Sequence, residues 1–97
     1  MAQTAELPDT SAWLVYILLC SDDSFYTGIT NNLERRVAQH AAKTGAKYFR
    51  GRQPRKVVYL ERGHNRSSAS RREAEIKKLS RRAKAELIDS ALNQWVG

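Results

Sequence analysis

The sequence predicts an α+β domain, a small three-stranded sheet flanked by helices in the order ββαβαα. Three observations predict it. Two β-rich runs, Trp13–Cys20 and Phe25–Thr30, are separated only by Ser21-Asp22-Asp23-Ser24. A third run, residues 56–61, is β-branched and bounded by Pro54 and Gly63. The segments between and after them place apolar residues at helical spacing instead.

Residues 1–11 are polar, contain Pro8 and read as a flexible arm, leaving 12–97 as one domain. The first strand is apolar on both faces, as an interior strand is. If Asp22-Asp23-Ser24 make a three-residue connection, Tyr16, Leu18 and Cys20 oppose Thr30, Gly28 and Tyr26, and both tyrosines share a face. An even-numbered loop separates them unless a bulge intervenes. The first alternative is the one expected.

Asn31, Asn32 and Glu34 form a capping arrangement ahead of a helix over residues 33–42. Leu33, Val37 and Ala41 mark its buried stripe. Arg36 and His40, spaced i and i+4, lie beside that stripe and can point at the sheet, whereas Arg35 and Gln39 turn toward water. Residues 45–54 form a basic loop carrying Lys47, Tyr48, Phe49, Arg50 and Arg52. Beyond the third strand, Ser67 is positioned to cap a helix over about 68–79. Ser80 restarts a last helix with a stripe of Ala83, Leu87, Ile88, Ala91 and Trp95.

Composition narrows the partners. Seventeen Lys and Arg oppose ten Asp and Glu, a net charge of +7, which favours a polyanion and places nucleic acid ahead of a membrane surface. The single Cys20 excludes an internal disulfide and a cysteine-based zinc site. The first ten residues do not read as a signal peptide, and no apolar run is long enough to span a bilayer, so a reducing cytoplasm is the expected location. No obligate protein partner is evident.

Two phenols, a guanidinium and an imidazole within one short strand–turn–strand–helix unit suit work on a phosphodiester. The plainer reading is that the tyrosines fill strand positions by propensity. Glu73 shares a helical strip with Ala69, Ile76 and Ser80, so it borders the apolar side and needs a partner or a metal. Its neighbours Arg71, Arg72, Lys77 and Lys78 also fit an ordinary salt-bridged surface helix. His64, in a Gly63-His64-Asn65 turn, reads as a surface residue. The basic run from Arg62 to Lys84 and the aromatic-basic loop at 47–52 are both suited to phosphate backbone and bases.

These residues resemble a known family. Leu14-Val15-Tyr16 and Tyr26-Thr27-Gly28 resemble the two signature strands of the GIY-YIG nuclease superfamily. Arg36 and His40 follow at its spacings, and Glu73 is similar to its metal-binding glutamate. Segments 24–30, 47–54 and 72–81 are closer still to the small stand-alone bacterial branch, the YhbQ-like proteins, and the likeness covers about residues 12–90. Leu14 stands where the first signature has glycine, Asn93 does not match the asparagine of larger members, and no appended recognition domain is expected.

The resemblance implies hydrolysis of nucleic acid, DNA ahead of RNA, to 5′-phosphate and 3′-hydroxyl ends, with one divalent ion, Mg²⁺ or Mn²⁺, on Glu73. It implies that Tyr16 or Tyr26 orients or deprotonates water, Arg36 neutralises the phosphate and His40 handles a proton. Gly28 lets the backbone approach the site. Lys47, Tyr48, Arg50, Arg52, Arg72 and Lys77 then join Gly28 as nucleic-acid contacts. A binding module of the same fold with little turnover is the alternative. A protein-interaction role for the last helix, anchored by Trp95, ranks below Trp95 packing onto the core.

Overall fold

The computed structural model describes residues 12–42 and 51–96. The elements are β1 (Trp13–Cys20), β2 (Phe25–Thr30), α1 (Leu33–Ala41), β3 (Pro54–His64), α2 (Arg66–Lys77) and α3 (Arg81–Ile88), which is the expected ββαβαα order. The strands form one antiparallel sheet ordered β2-β1-β3. A central β1 explains why that strand is apolar throughout: each face carries a helical layer. On one face Tyr16, Leu18, Cys20 and Leu60 pack with Leu33 and Val37 of α1. On the other, Val15, Ile17 and Tyr59 pack with Ala69 and Ile76 of α2 and with Leu87 and Ile88 of α3. Ile17 and Ile76 are fully buried, each contributing about 1.5–3 kcal/mol.

The hairpin register places Tyr16 opposite Gly28 and Leu18 opposite Tyr26. The parity is the expected one, so the two tyrosines share a face, but pairing is shifted by two residues. The connection is Ser21-Asp22-Asp23, not Asp22-Asp23-Ser24. Asp23 N–H donates to the Cys20 carbonyl (2.9 Å), Asp23 then adopts φ 65°, and Cys20 N–H closes on the Ser24 carbonyl (2.9 Å). That is a tight turn followed by a left-handed residue, a favoured three-residue hairpin. Asp22 braces it by accepting from Ser24 Oγ at 2.6 Å and from Arg52 Nε at 2.7 Å.

β3 is longer than the expected 56–61, because its pairing continues to His64 opposite Trp13. A register break between Ile17 and Leu18 inserts Val58 as an extra residue. α1 is capped by Asn32, whose side chain accepts from Arg35 N–H at 3.0 Å. Thr30 Oγ1 fixes the approach by accepting from Asn32 N–H at 3.0 Å. Ala41 is exposed, so the stripe of α1 reduces to Leu33 and Val37, with His40 wholly buried.

Asn65, not Ser67, caps α2: it accepts from Ser68 N–H, and Ser68 Oγ accepts from Asn65 N–H, a reciprocal capping box. Ser80 caps α3 as expected, but α3 stops at Ile88. Ser90 Oγ bonds the Leu87 carbonyl, and Asn93 then ties the chain to β3. Ala91 and Trp95 therefore leave the helical stripe. Trp95 instead borders a groove with Leu33, Val37 and Val57 on the opposite side of the sheet. No helix among the described residues is long and apolar enough to cross a membrane.

Candidate active site

Gly28 is where backbone and site meet. A Cβ at this position sits 2.5 Å from Tyr16 Oη and 2.7 Å from Cζ, so only glycine lets the phenol lie across β2. The Tyr16 hydroxyl then reaches His40 Nε2 at 3.0 Å, across from β1 to α1. Tyr26 completes a three-ring cluster. Its ring meets His40 edge-on at 5.1 Å and 70°, and Tyr16 at 6.3 Å and 42°.

The electrostatics follow from burial. Desolvation, then the nearby Tyr26, pushes the Tyr16 phenol well above its ordinary value, and Arg36 offsets only part of this. Tyr26 is raised by burial too, against Lys77 and Arg36. Burial and then the Arg36 charge lower His40 to about 4. At neutral pH both phenols are protonated and the imidazole is neutral. Tyr16 donates to Nε2 when the ring proton sits on Nδ1 and accepts from Nε2–H in the other tautomer.

Glu73 raises both tyrosines, so its charge acts on the cluster from α2 while Arg36 acts from α1. Its carboxylate is 23% exposed and meets Lys77 Nζ at 3.2 Å, one turn along α2. The structure thus brings Tyr16, Tyr26, Gly28, Arg36, His40, Glu73 and Lys77 together on the β2 side of the sheet.

Other candidates lie elsewhere. Arg72 pairs with Glu61 at 2.9 Å and with Glu75 at 3.0 Å, and Arg52 with Asp22 at 2.7 Å. Lys47, Tyr48 and Arg50 fall outside the described residues. His64 is no surface residue: it bonds Glu61 Oε1 at 2.8 Å and Ser68 Oγ at 2.9 Å. Asn93 is a structural clasp, donating to the Val58 and Ile88 carbonyls and accepting from Leu60 N–H.

Sequence reasoning placed Arg35 and Gln39 toward water. Arg35 is exposed as expected, whereas Gln39 is half-buried and its Oε1 accepts from the Arg36 guanidinium at 3.0 Å; all three line a cavity of about 340 Å³ with Trp13, Asn31 and Arg66. Trp13 and Arg66 carried no local signal, since each joins this wall only through the β1–β3 pairing and the start of α2.

The GIY-YIG catalytic domain model matches residues 12–86. The chain belongs to the GIY-YIG family. Within it, the UPF0213 protein of Natronomonas pharaonis is 54% identical over 74 residues, covering 76% of this chain and 87% of the relative. The UPF0213 protein of Clostridium perfringens is 55% identical over 76 residues, covering 78% and 82%. A solution NMR structure of the UPF0213 protein BH0048 from Bacillus halodurans is 43% identical, with a TM-score of 0.53, covering 84% of this chain and 87% of that one. These are the stand-alone GIY-YIG relatives that the likeness at 24–30, 47–54 and 72–81 implied. A GIY-YIG domain is a nuclease-family domain, and nucleic acid is the partner class that follows from it.

Proposed function

We propose that this chain is a metal-dependent nuclease that hydrolyses phosphodiester bonds, DNA ahead of RNA, leaving 5′-phosphate and 3′-hydroxyl ends. The observation that carries this reading is the meeting of two protonated phenols, a neutral imidazole, a guanidinium and one carboxylate on the β2 side of the sheet. The donor set fits a hard divalent ion. Glu73 is a single, partly exposed carboxylate, and Mg²⁺ characteristically binds through one or two carboxylates while keeping waters and substrate phosphate oxygens. Among the described residues, no group of three His, Cys, Asp or Glu offers a closed cage for other metals. Glu73 would hold Mg²⁺ or Mn²⁺, which would supply Lewis-acid stabilisation of the leaving oxygen.

The chain's own groups do the rest. Arg36 presents a planar fork to the phosphate oxygens, steadied by Gln39. Burial favours the protonated phenol of Tyr16, and with the His40 ring proton on Nδ1 it acts as a relay. It takes a proton from the attacking water as it passes its own to His40 Nε2, 3.0 Å away. Tyr26 packs edge-on against that imidazole and holds its orientation.

Incubation with single-stranded, nicked and branched DNA and with RNA, in Mg²⁺ or Mn²⁺, tests the reading. The parent is expected to cut and chelation to stop it. Glu73→Ala is expected to lose on the order of 10²–10³-fold, as loss of a central electrostatic group does. Undiminished cutting by Glu73→Ala overturns the metal assignment. The Glu73–Lys77 pair favours a second reading, a binding module whose carboxylate is already neutralised. That module binds nucleic acid with strong salt dependence, unaffected by chelation, and cuts nothing.

A further inference from the structure

The cavity beside Arg36 has walls of unusual charge. Arg35, Arg36 and Arg66 line it together with Trp13, Asn31 and Gln39, and among the described residues no carboxylate does. Four arginines elsewhere are matched to carboxylates: Arg52 to Asp22 at 2.7 Å, Arg55 to Asp23 at 3.4 Å, Arg72 to Glu61 at 2.9 Å and Arg82 to Glu86 at 3.7 Å. Among the described residues, neither Arg35 nor Arg66 has a carboxylate within ion-pair distance. Three guanidiniums around one hollow repel one another and create a focused positive field, which an anion relieves.

We propose that this hollow is a second phosphate subsite, which takes a phosphodiester neighbouring the one handled at Tyr16, Arg36 and Glu73 on the same nucleic-acid strand. The proposal rests on the nuclease reading for its partner and extends it in space. Arg36 joins the two sites, because it lines the hollow and also acts on Tyr16 and His40. Trp13 favours a strand over a free anion. Arg66 lies over the indole at 5.6 Å and holds it against the cavity wall, where it offers an aromatic surface to a base or sugar. Asn31 adds a neutral polar group, and guanidinium forks match phosphate oxygens in pairs. Arg35 and Arg66 come from different helices, so the groove is fixed by the fold rather than by one flexible segment.

Binding, read separately from cleavage, tests this. In a Trp95→Phe background Trp13 is the single tryptophan, because the chain has two. Affinities for a dinucleotide and for a longer single strand of DNA are measured by fluorescence anisotropy across a salt series in the presence of Ca²⁺. Arg35→Ala and Arg66→Ala are each expected to weaken the longer strand several-fold. Each should also lower the slope of log K against log salt by roughly 0.7–0.9, one phosphate contact. Dinucleotide binding should not change, and the longer strand alone should alter Trp13 emission. Both residues are exposed, so both variants should unfold at the parent's temperature.

Parent slopes in both variants overturn the subsite, and if the parent still cuts, the nuclease reading survives that result. A parent that binds the longer strand but cuts nothing removes the catalytic reading. The lowered slopes then still support the subsite. A parent that binds no strand overturns both.

Discussion

The same four residue types occur twice in this molecule, to opposite ends. On the β2 side stand Tyr16, His40, Arg36 and Glu73; on the β3 side stand Tyr59, His64, Arg72 and Glu61. In the second set one carboxylate gathers everything. Glu61 accepts from the Tyr59 hydroxyl at 2.5 Å and from Arg72 Nε at 2.9 Å, and bonds His64 Nε2 at 2.8 Å. Burial works to raise the Glu61 carboxyl, but these bonds outweigh it and hold it low. Tyr59 is pushed up to about 12 by burial and then by that same bond. The β3 set is closed on itself. In the β2 set no ion pair or hydrogen bond joins Glu73 to the other three: it faces Lys77, Arg36 bonds Gln39, and Tyr16 bonds His40. A cluster that consumes its own charges is structural, and one that keeps them apart has charge to give to a ligand.

Exchanging the carboxylates for amides gives the widest separation. Glu73→Gln should lose at least about 10²-fold in cleavage while stability stays within roughly 0.5 kcal/mol. Glu61→Gln should do the reverse, costing roughly 2–3 kcal/mol by leaving Arg72 poorly paired in a part-buried site, with cleavage per folded molecule unchanged. Urea titration beside a turnover assay reads both, and an equal effect on both quantities in either variant breaks the comparison.

Gly28→Ala comes next. The added methyl must push the Tyr16 ring off β2, so about 1–3 kcal/mol of stability should go, as in overpacked cores. Cleavage should fall with it, since the Tyr16–His40 bond is lost. The adjacent Thr27→Ser, whose side chain faces the other helical layer, should leave cleavage intact.

A pH dependence comes last. His40 has a folded-state value of about 4, below its unfolded one, so the unfolded chain takes up the proton first. Its contribution is complete above about pH 6.5 and is lost as pH falls toward 4, by up to roughly 1.4 kcal/mol per pH unit. Glu61, held below its ordinary value, acts lower still and leaves the window from 5 to 6.5 largely to His40. The slope there should be shallower in His40→Gln than in the parent. Identical slopes show that His40 does not carry it. Between pH 6 and 9 the relay through Tyr16 predicts a level cleavage rate, whereas a required phenolate predicts a tenfold rise per unit.

The β2 cluster was legible because its residues are close in sequence and the hairpin parity is a local property. The register was not. Choosing Ser21 over Ser24 as a turn residue depends on Asp23 accepting a left-handed φ, which the string Ser-Asp-Asp-Ser does not decide. The β3 cluster was illegible for a different reason. Glu61 and Arg72 lie on separate elements and meet only when α2 packs on the sheet, so His64 read as a turn residue. Trp95 fitted the helical spacing of α3, yet three bonds from Asn93 to β3 and α3 redirect the chain. Tertiary contacts overrode periodicity there. Arg66 and Arg35, far apart in sequence, share a cavity for the same kind of reason.

That redirected segment also settles what happens to the outer border of the sheet. Among the described residues β3 has no further strand beside it, and a bare strand is a template for another chain. Gln94 N–H donates to the Leu60 carbonyl at 2.8 Å, Asn93 Oδ1 receives Leu60 N–H at 3.1 Å, and Gln94 Oε1 receives Arg62 N–H at 2.5 Å. The chain thereby occupies the pairing positions in the middle of β3 with its own amides. Residues that serve no chemistry act as a guard against self-association, and removing them would turn a solitary sheet into one able to recruit its neighbours.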